Sequence, residues 1–136
     1  MDVDLDYQFL KNGFKNIKIG ILTKEIANLI NLNIKECDII LWEDRFKYIE
    51  KHKVNFKSEE DFVKHVKAIP NIIQNPDYVG RHPKDNSIQY IKQLDELMIV
   101  AIRIKNKGSL CFRTAYPLTH KQLDDYISSG TVWKVD

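Results

Sequence analysis

Four histidines, His52, His65, His82 and His120, are the side chains of this sequence best suited to proton transfer near neutral pH. They are scattered, with no HxxxH or CxxC spacing, so no metal site is expected. P-loop, nucleotide-binding glycine and Gly-x-Ser-x-Gly patterns are absent too, and no cofactor is expected. His52 stands in Tyr48-Ile49-Glu50-Lys51-His52, four residues after Tyr48 and on the same helical face. A helix C-terminus favours the imidazolium, which suits a general acid. A histidine there also serves as a plain cap of the last turn. His82, between Arg81 and Pro83 in a polar loop, stands where a phosphate would be touched. His65 reads as a surface residue in mid-helix, and His120, in the first turn of the last helix, as structural.

The cations that would hold an anion come from alternating segments. With Asn106-Lys107-Gly108 as a three-residue loop ending in a left-handed glycine, Lys105 opposes Ser109, Arg103 opposes Cys111 and Ala101 opposes Arg113. With Asp95-Glu96 as a two-residue turn, Tyr90 opposes Ala101 and Lys92 opposes Ile99. One face then carries Tyr90, Lys92, Ala101, Arg103, Cys111, Arg113 and Ala115, a basic, aromatic-edged patch with small residues at its centre. The other carries Ile91, Met98, Val100, Ile102, Ile104, Leu110, Phe112 and Thr114 and is the core. Guanidinium groups in such a hollow suit phosphate, because their planar fork donates two parallel hydrogen bonds. Lysine and arginine on the outer face of an antiparallel sheet are equally what a merely solvated surface presents. A one-residue slip in either turn would exchange the faces.

The elements that must position these groups read as follows. Residues 17–22 form a short strand, and Thr23 starts a helix with Ile26, Leu29 and Ile30 on one face. Residues 38–42 form another short strand or buried extended segment. Glu43 to Lys53 is helical by pattern, acidic at its start and basic at its end. Ser58, with Asp61 three residues on, caps a helix that turns Phe62, Val63 and Val66 inward. Pro70 suits the first turn of a short helix that Asn75-Pro76 must stop. From Ser87 the period becomes two, giving strands over 88–92, 97–105 and 109–115, which Pro117 ends. Thr119 with Gln122 forms a capping box, Leu118 with Leu123 a hydrophobic staple, and Gly130 closes that last helix. Helices first and a hairpin-connected sheet later make the fold class α+β, N-terminal helices packed on a C-terminal antiparallel meander.

At 136 residues, 29% of them charged and 43% hydrophobic, the chain fits one soluble domain, 1–136, with a core of its own. No apolar stretch approaches the roughly 20 residues that span a bilayer, so no membrane partner is expected. The acidic opening does not read as a signal peptide. Cys37 and Cys111, isolated thiols, fit a reducing compartment such as the cytoplasm. Net charge is +2, and the positive excess lies in the C-terminal half, which permits a phosphate-bearing partner.

Five segments carry a resemblance. They are Ile19-Gly20-Ile21-Leu22 leading to Leu29-Ile30, Tyr48 to His52, Ile69-Pro70 through Tyr78-Val79, Val100 to Arg103, and Arg113-Thr114-Ala115-Tyr116. In this order and spacing they resemble the phage-associated branch of the barnase–EndoU–colicin–RelE-like (BECR-fold) nucleases, small toxin-type ribonuclease domains. The resemblance runs from about Ile19 to Gly130 and leaves residues 1–16 as an N-terminal extension. It implies a BECR-type ribonuclease fold and a metal-independent site joining a helical histidine, matched by His52, to basic and hydroxyl residues of the sheet. The stretch Arg113 to Tyr116 matches the strand-end motif. A second histidine is expected near the start of the helical motif, where this sequence has Lys47 or Tyr48. The implied reaction is attack of an RNA 2′-hydroxyl on its own phosphorus, giving a 2′,3′-cyclic phosphate, with tRNA among the RNAs it would cut.

On that reading His52, Arg103, Arg113, Thr114 and Tyr116 are the catalytic candidates. Tyr48, Arg81, His82, Tyr90 and Lys92 are candidates for binding substrate. By alternation Thr114 falls on the face opposite Arg113, so both reach one site only if the strand twists or ends there. The implied partners are RNA and a cognate immunity or antitoxin protein, and the setting is the cytoplasm, that of a target cell if the protein is delivered as a toxin. The alternative is an inactive RNA- or protein-binding phage accessory domain on the same fold.

Overall fold

The computed structural model describes residues 4–105 and 108–135. In chain order these form α1 (Tyr7–Lys11), β1 (Asn16–Leu22), α2 (Lys24–Leu29), β2 (Cys37–Trp42), α3 (Phe46–Glu50), α4 (Glu59–Lys67), α5 (Ile69–Gln74), β3 (Tyr78–Arg81), β4 (Ile88–Gln93), β5 (Leu97–Ile104), β6 (Leu110–Pro117), α6 (His120–Ser128) and β7 (Val132–Lys134). The fold is α+β. Local chemistry sets most helix starts: Asp6, Thr23, Ser58 and Thr119 each accept from backbone amides of the turn they open. Thr119 and Gln122 form the full capping box. Gly130, at φ +76°, leaves α6 in a left-handed conformation that suits glycine.

The sheet is larger than a meander. Its strand order is β1-β2-β6-β5-β4-β3-β7, seven strands. The antiparallel β1–β2 pair, linked through α2, joins the sheet because β2 pairs with β6 in parallel. Helices therefore do not simply precede the sheet. β3 and β7 are short edge-side additions that the sequence pattern missed.

The expected long helix over 43–53 is broken. Residues 43–45 form a 3-10 turn, α3 spans only five residues, and a second 3-10 turn covers 53–55. So short a helix is not stable by propensity. It stands because Phe46 and Ile49 pack into the main core and Tyr7 Oη donates to Glu50 at 2.6 Å.

Two registers decide the site. Between β4 and β5, Gln93 pairs with Leu97, so the connection is the three-residue loop Leu94-Asp95-Glu96, not a two-residue turn. Gln89 then opposes Ala101, Tyr90 opposes Val100, and Lys92 opposes Met98. The loop geometry is fixed from a distance. His65 is fully buried, not on the surface; its Nε2 accepts from the Glu96 amide at 3.1 Å and its Nδ1 lies 2.7 Å from the Asp61 carbonyl. Those partners put the imidazole proton on Nδ1. Lys64 pairs with Asp95 beside it.

Between β5 and β6, Arg103 opposes Cys111 as expected, and Lys105 N donates to Ser109 O at 2.8 Å. Gly108 has φ +78°, the left-handed conformation expected of it, while Asn106 and Lys107 lie outside the described residues. Ile102 then pairs with Phe112 but Ala101 with Thr114. Arg113 is the extra residue of a β-bulge, and the expected Ala101–Arg113 pair does not form.

Both faces of the sheet are covered in part. The main core holds Tyr90, Val100, Ile102, Phe112 and Ala115 under α1, α4 and α5. A second cluster on the other face holds Ile91, Ile99, Leu118, Leu123 and Val132, with Tyr78, Tyr116 and Tyr126 against it. Among the described residues no helix is long and apolar enough to cross a membrane.

Candidate functional site

The bulge reconciles Arg113 with Thr114. Before it, alternation sets Arg103 and Cys111 on the face that α6 leaves open near β6; after it, Thr114 and Tyr116 return to that same face. The extra residue leaves the Arg113 carbonyl outside regular pairing. Arg45, in the 3-10 turn before α3, donates to that oxygen through Nη2 at 2.7 Å.

α3 packs against β6, and a hollow of about 510 Å³ lies beside their contact. Arg45, Tyr48, Lys51 and His52 line its helical side, with Trp42 at the end of β2 beside them. Arg103, Lys105, Arg113, Thr114 and Tyr116 line its strand side. Five of these are fixed cations, against Asp44 as the one carboxylate in the lining. Among the described residues only Arg113 of the five pairs with a carboxylate, Asp85 Oδ2 at 3.5 Å. Such a concentration on a chain of net charge +2 makes the hollow attractive to anions.

His52 follows α3 and precedes the 53–55 turn, so its place is set by the break in the helix. Its Nδ1 lies 2.9 Å from Asn55 Oδ1. With the Asn55 oxygen as acceptor, Nδ1 carries the proton, and Nε2 has no partner among the described residues. The imidazole rests on Tyr116, ring centroids 5.1 Å apart and planes 31° apart. Burial, with lesser contributions from Tyr126 and Asp85, pushes the Tyr116 phenol above its ordinary value, so it holds its proton at neutral pH. Tyr48 is engaged: the Arg45 guanidinium lies 3.8 Å from its ring centroid.

Behind Arg113 stands a second, smaller arrangement. Asp85 lies 3.5 Å from Arg113 and 3.5 Å from His82 Nδ1, and it accepts from the Ser87 amide at 2.9 Å. Burial alone would raise the Asp85 carboxyl, but the Ser87 hydrogen bonds, with the charge of Arg113 and that of His82 when its ring is protonated, together outweigh it and hold it below its ordinary value. His82 Nδ1 accepts from the Lys84 amide at 3.1 Å. That assigns the neutral ring's proton to Nε2, and His82 serves as the clasp of its own turn rather than as a base.

Of the residues singled out from sequence, the fold gathers Tyr48, His52, Arg103, Arg113, Thr114 and Tyr116 around one hollow. Arg81 and His82 lie outside its lining, His82 joined to it through Asp85 and Arg81 donating to Asn86 O at 3.3 Å. Tyr90 and Lys92 are corrected: the one-residue slip turns both to the opposite face. Tyr90 is buried in the main core, and Lys92 donates to Asn75 O at 2.7 Å. Arg45, Asn55 and Asp85 escaped the sequence reading. Their signals, an arginine at a helix start, an asparagine three residues after His52 and an aspartate in a polar loop, are common in any sequence. Among the described residues no group of three or more His, Cys, Asp or Glu is placed to hold a metal ion. Cys37 and Cys111 are free thiols.

The family described as phage-Barnase-EndoU-ColicinE5/D-RelE like nuclease3 matches residues 16–125. No curated protein and no solved structure matches the chain.

Proposed function

The chain belongs to the phage-Barnase-EndoU-ColicinE5/D-RelE like nuclease family, and from that premise we propose that it is a metal-independent endoribonuclease acting in the hollow between α3 and β6. The observation that carries the reading is the meeting, in one hollow, of five cations with a histidine whose Nε2 has no partner among the described residues.

RNA supplies its own nucleophile. His52 Nε2 takes the 2′-hydroxyl proton, the 2′-oxygen bonds to phosphorus, and the bond to the 5′-oxygen breaks as that oxygen is protonated from the Tyr116 phenol. The product is a 2′,3′-cyclic phosphate and a free 5′-hydroxyl. Arg103 and Arg113 donate to the phosphoryl oxygens as charge builds on them. Asn55 keeps His52 in the productive tautomer. A cytoplasmic RNA, tRNA among them, is the substrate we favour, and the free thiols suit that reducing setting. An acidic immunity protein is the inhibitor that the charge of the hollow would accept.

One observation favours a second reading. The ring at the expected second-histidine position, Tyr48, is covered by Arg45, which suits a binding module that has lost catalysis. Total RNA incubated with trace protein in EDTA, with product ends mapped, separates the two. Many turnovers ending in cyclic phosphates support the nuclease. A gel shift with intact RNA supports the binder. Activity abolished by chelator and restored by magnesium overturns the mechanism.

A further inference from the structure

Beside His52 and the fully buried Phe112, Trp42, Tyr48 and Tyr116 line the hollow, and they are not equally available. Tyr48 lies under the Arg45 guanidinium at 3.8 Å, and Tyr116 lies against the His52 ring at 5.1 Å. Trp42 differs. It ends β2, is 38% exposed, and has Lys105 Nζ 5.9 Å from its ring centroid, at the outer limit of a cation–π contact. Its backbone is held by pairing with Asn16, and the next amide, of Glu43, donates to Lys15 O at 3.1 Å. The indole is thus mounted on a fixed strand end, open to water, inside a lining rich in phosphate-binding groups.

A large aromatic face beside cations is what an unpaired nucleotide needs: the base stacks on the ring while the phosphate meets the charge. A base inside a duplex has both faces covered by its neighbours and cannot stack on Trp42. We propose that Trp42 is the stacking platform for an unpaired base, with Lys105 and Arg103 holding that nucleotide's phosphate. This rests on the ribonuclease reading of the same hollow and adds a base-binding residue to it.

The sequence has two tryptophans, so Trp133→Phe leaves Trp42 as the sole indole emitter. The probes are a single-stranded oligoribonucleotide blocked at every 2′-hydroxyl by methylation, the same strand in a duplex, and inorganic polyphosphate. The single strand should quench Trp42 emission saturably, while duplex and polyphosphate bind without quenching. Trp42→Ala should weaken single-strand binding by about 10–100-fold, the size expected for one lost base stack, and leave polyphosphate binding intact. Trp42→Phe should recover most of that loss, which also shows that the pocket still folds. Equal weakening toward polyphosphate, undiminished single-strand binding by Trp42→Ala, or equal quenching by the duplex would each overturn the platform. The nuclease reading fails separately: wild type that binds and quenches but cuts no unblocked RNA keeps the platform and loses the catalysis.

Discussion

Arg45 Nη2 donates to the carbonyl oxygen of Arg113 at 2.7 Å, tying the start of α3 to the bulge in β6. The same guanidinium lies on the Tyr48 ring, so one side chain holds the helical wall of the hollow against its strand wall. Arg45→Ala should lower stability by about 1–3 kcal/mol, the cost of leaving a part-buried carbonyl without its charged partner. It should also slow RNA cleavage, because Arg113 and Thr114 share the freed bulge. Arg45→Lys should recover less than half of either effect, lacking the planar fork. Urea denaturation beside cleavage rates checks both; unchanged cleavage in a destabilised Arg45→Ala would make the tie purely structural.

The register makes a prediction with two halves. Arg103→Ala and Arg113→Ala should each reduce cleavage by about 10–1000-fold, the range for losing one donor to a charged transition state, without unfolding the protein. Lys92→Ala should leave the rate alone, since Lys92 lies on the other face. Tyr90→Phe should be neutral or stabilising by up to about 1 kcal/mol, because the buried Tyr90 hydroxyl has no partner among the described residues. A Lys92 variant as slow as the arginine variants would return the sheet to the unslipped register.

His52 and Asn55 should behave as a pair. His52→Ala and His52→Gln should each slow turnover by about 10²–10⁴-fold, as for a lost acid or base, with little change in RNA affinity. Asn55→Leu frees the imidazole to rotate and should lower kcat more than it changes KM. Asn55→Asp places a carboxylate on Nδ1, which stabilises the imidazolium, so the acid limb of the pH–rate profile should move to higher pH. A profile that stays in place in Asn55→Asp would mean that Asn55 only caps the 53–55 turn.

Asp85 gives the pH prediction. Its carboxyl is held below its ordinary value in the folded protein, so the ionised form stabilises the fold. The sign follows by linkage: this stabilisation is complete above the unfolded value, about 3.9 for aspartate, and is lost as pH falls through the depressed folded value. Asp85→Asn should therefore melt lower than wild type at pH 6, and the gap should close in the acid range below pH 3.9. Melting curves across that range decide it; a gap that persists at the lowest pH would assign the loss to packing rather than to charge.

Much of this molecule was written locally. Thr23, Ser58 and Thr119 cap the helices they precede, because a hydroxyl and the amide it accepts from lie three residues apart. The Arg103–Cys111 pairing and the left-handed Gly108 follow from a short loop between alternating strands. His52, Arg103, Arg113 and Tyr116 were legible as candidates because residue type and a period of two or 3.6 suffice to name them. What brought them together is not local. The loop after β4 has three residues, and buried His65, some 30 positions earlier in the chain, accepts its Glu96 amide. That register turns Tyr90 and Lys92 out of the site, since a slip of one residue reverses every side chain of a strand. The bulge at Arg113 is likewise held by Arg45 from the far side of the hollow. Capping and alternation act over a few residues and can be read from them. Register and bulges are set by hydrogen bonds between segments that meet only when the chain has folded.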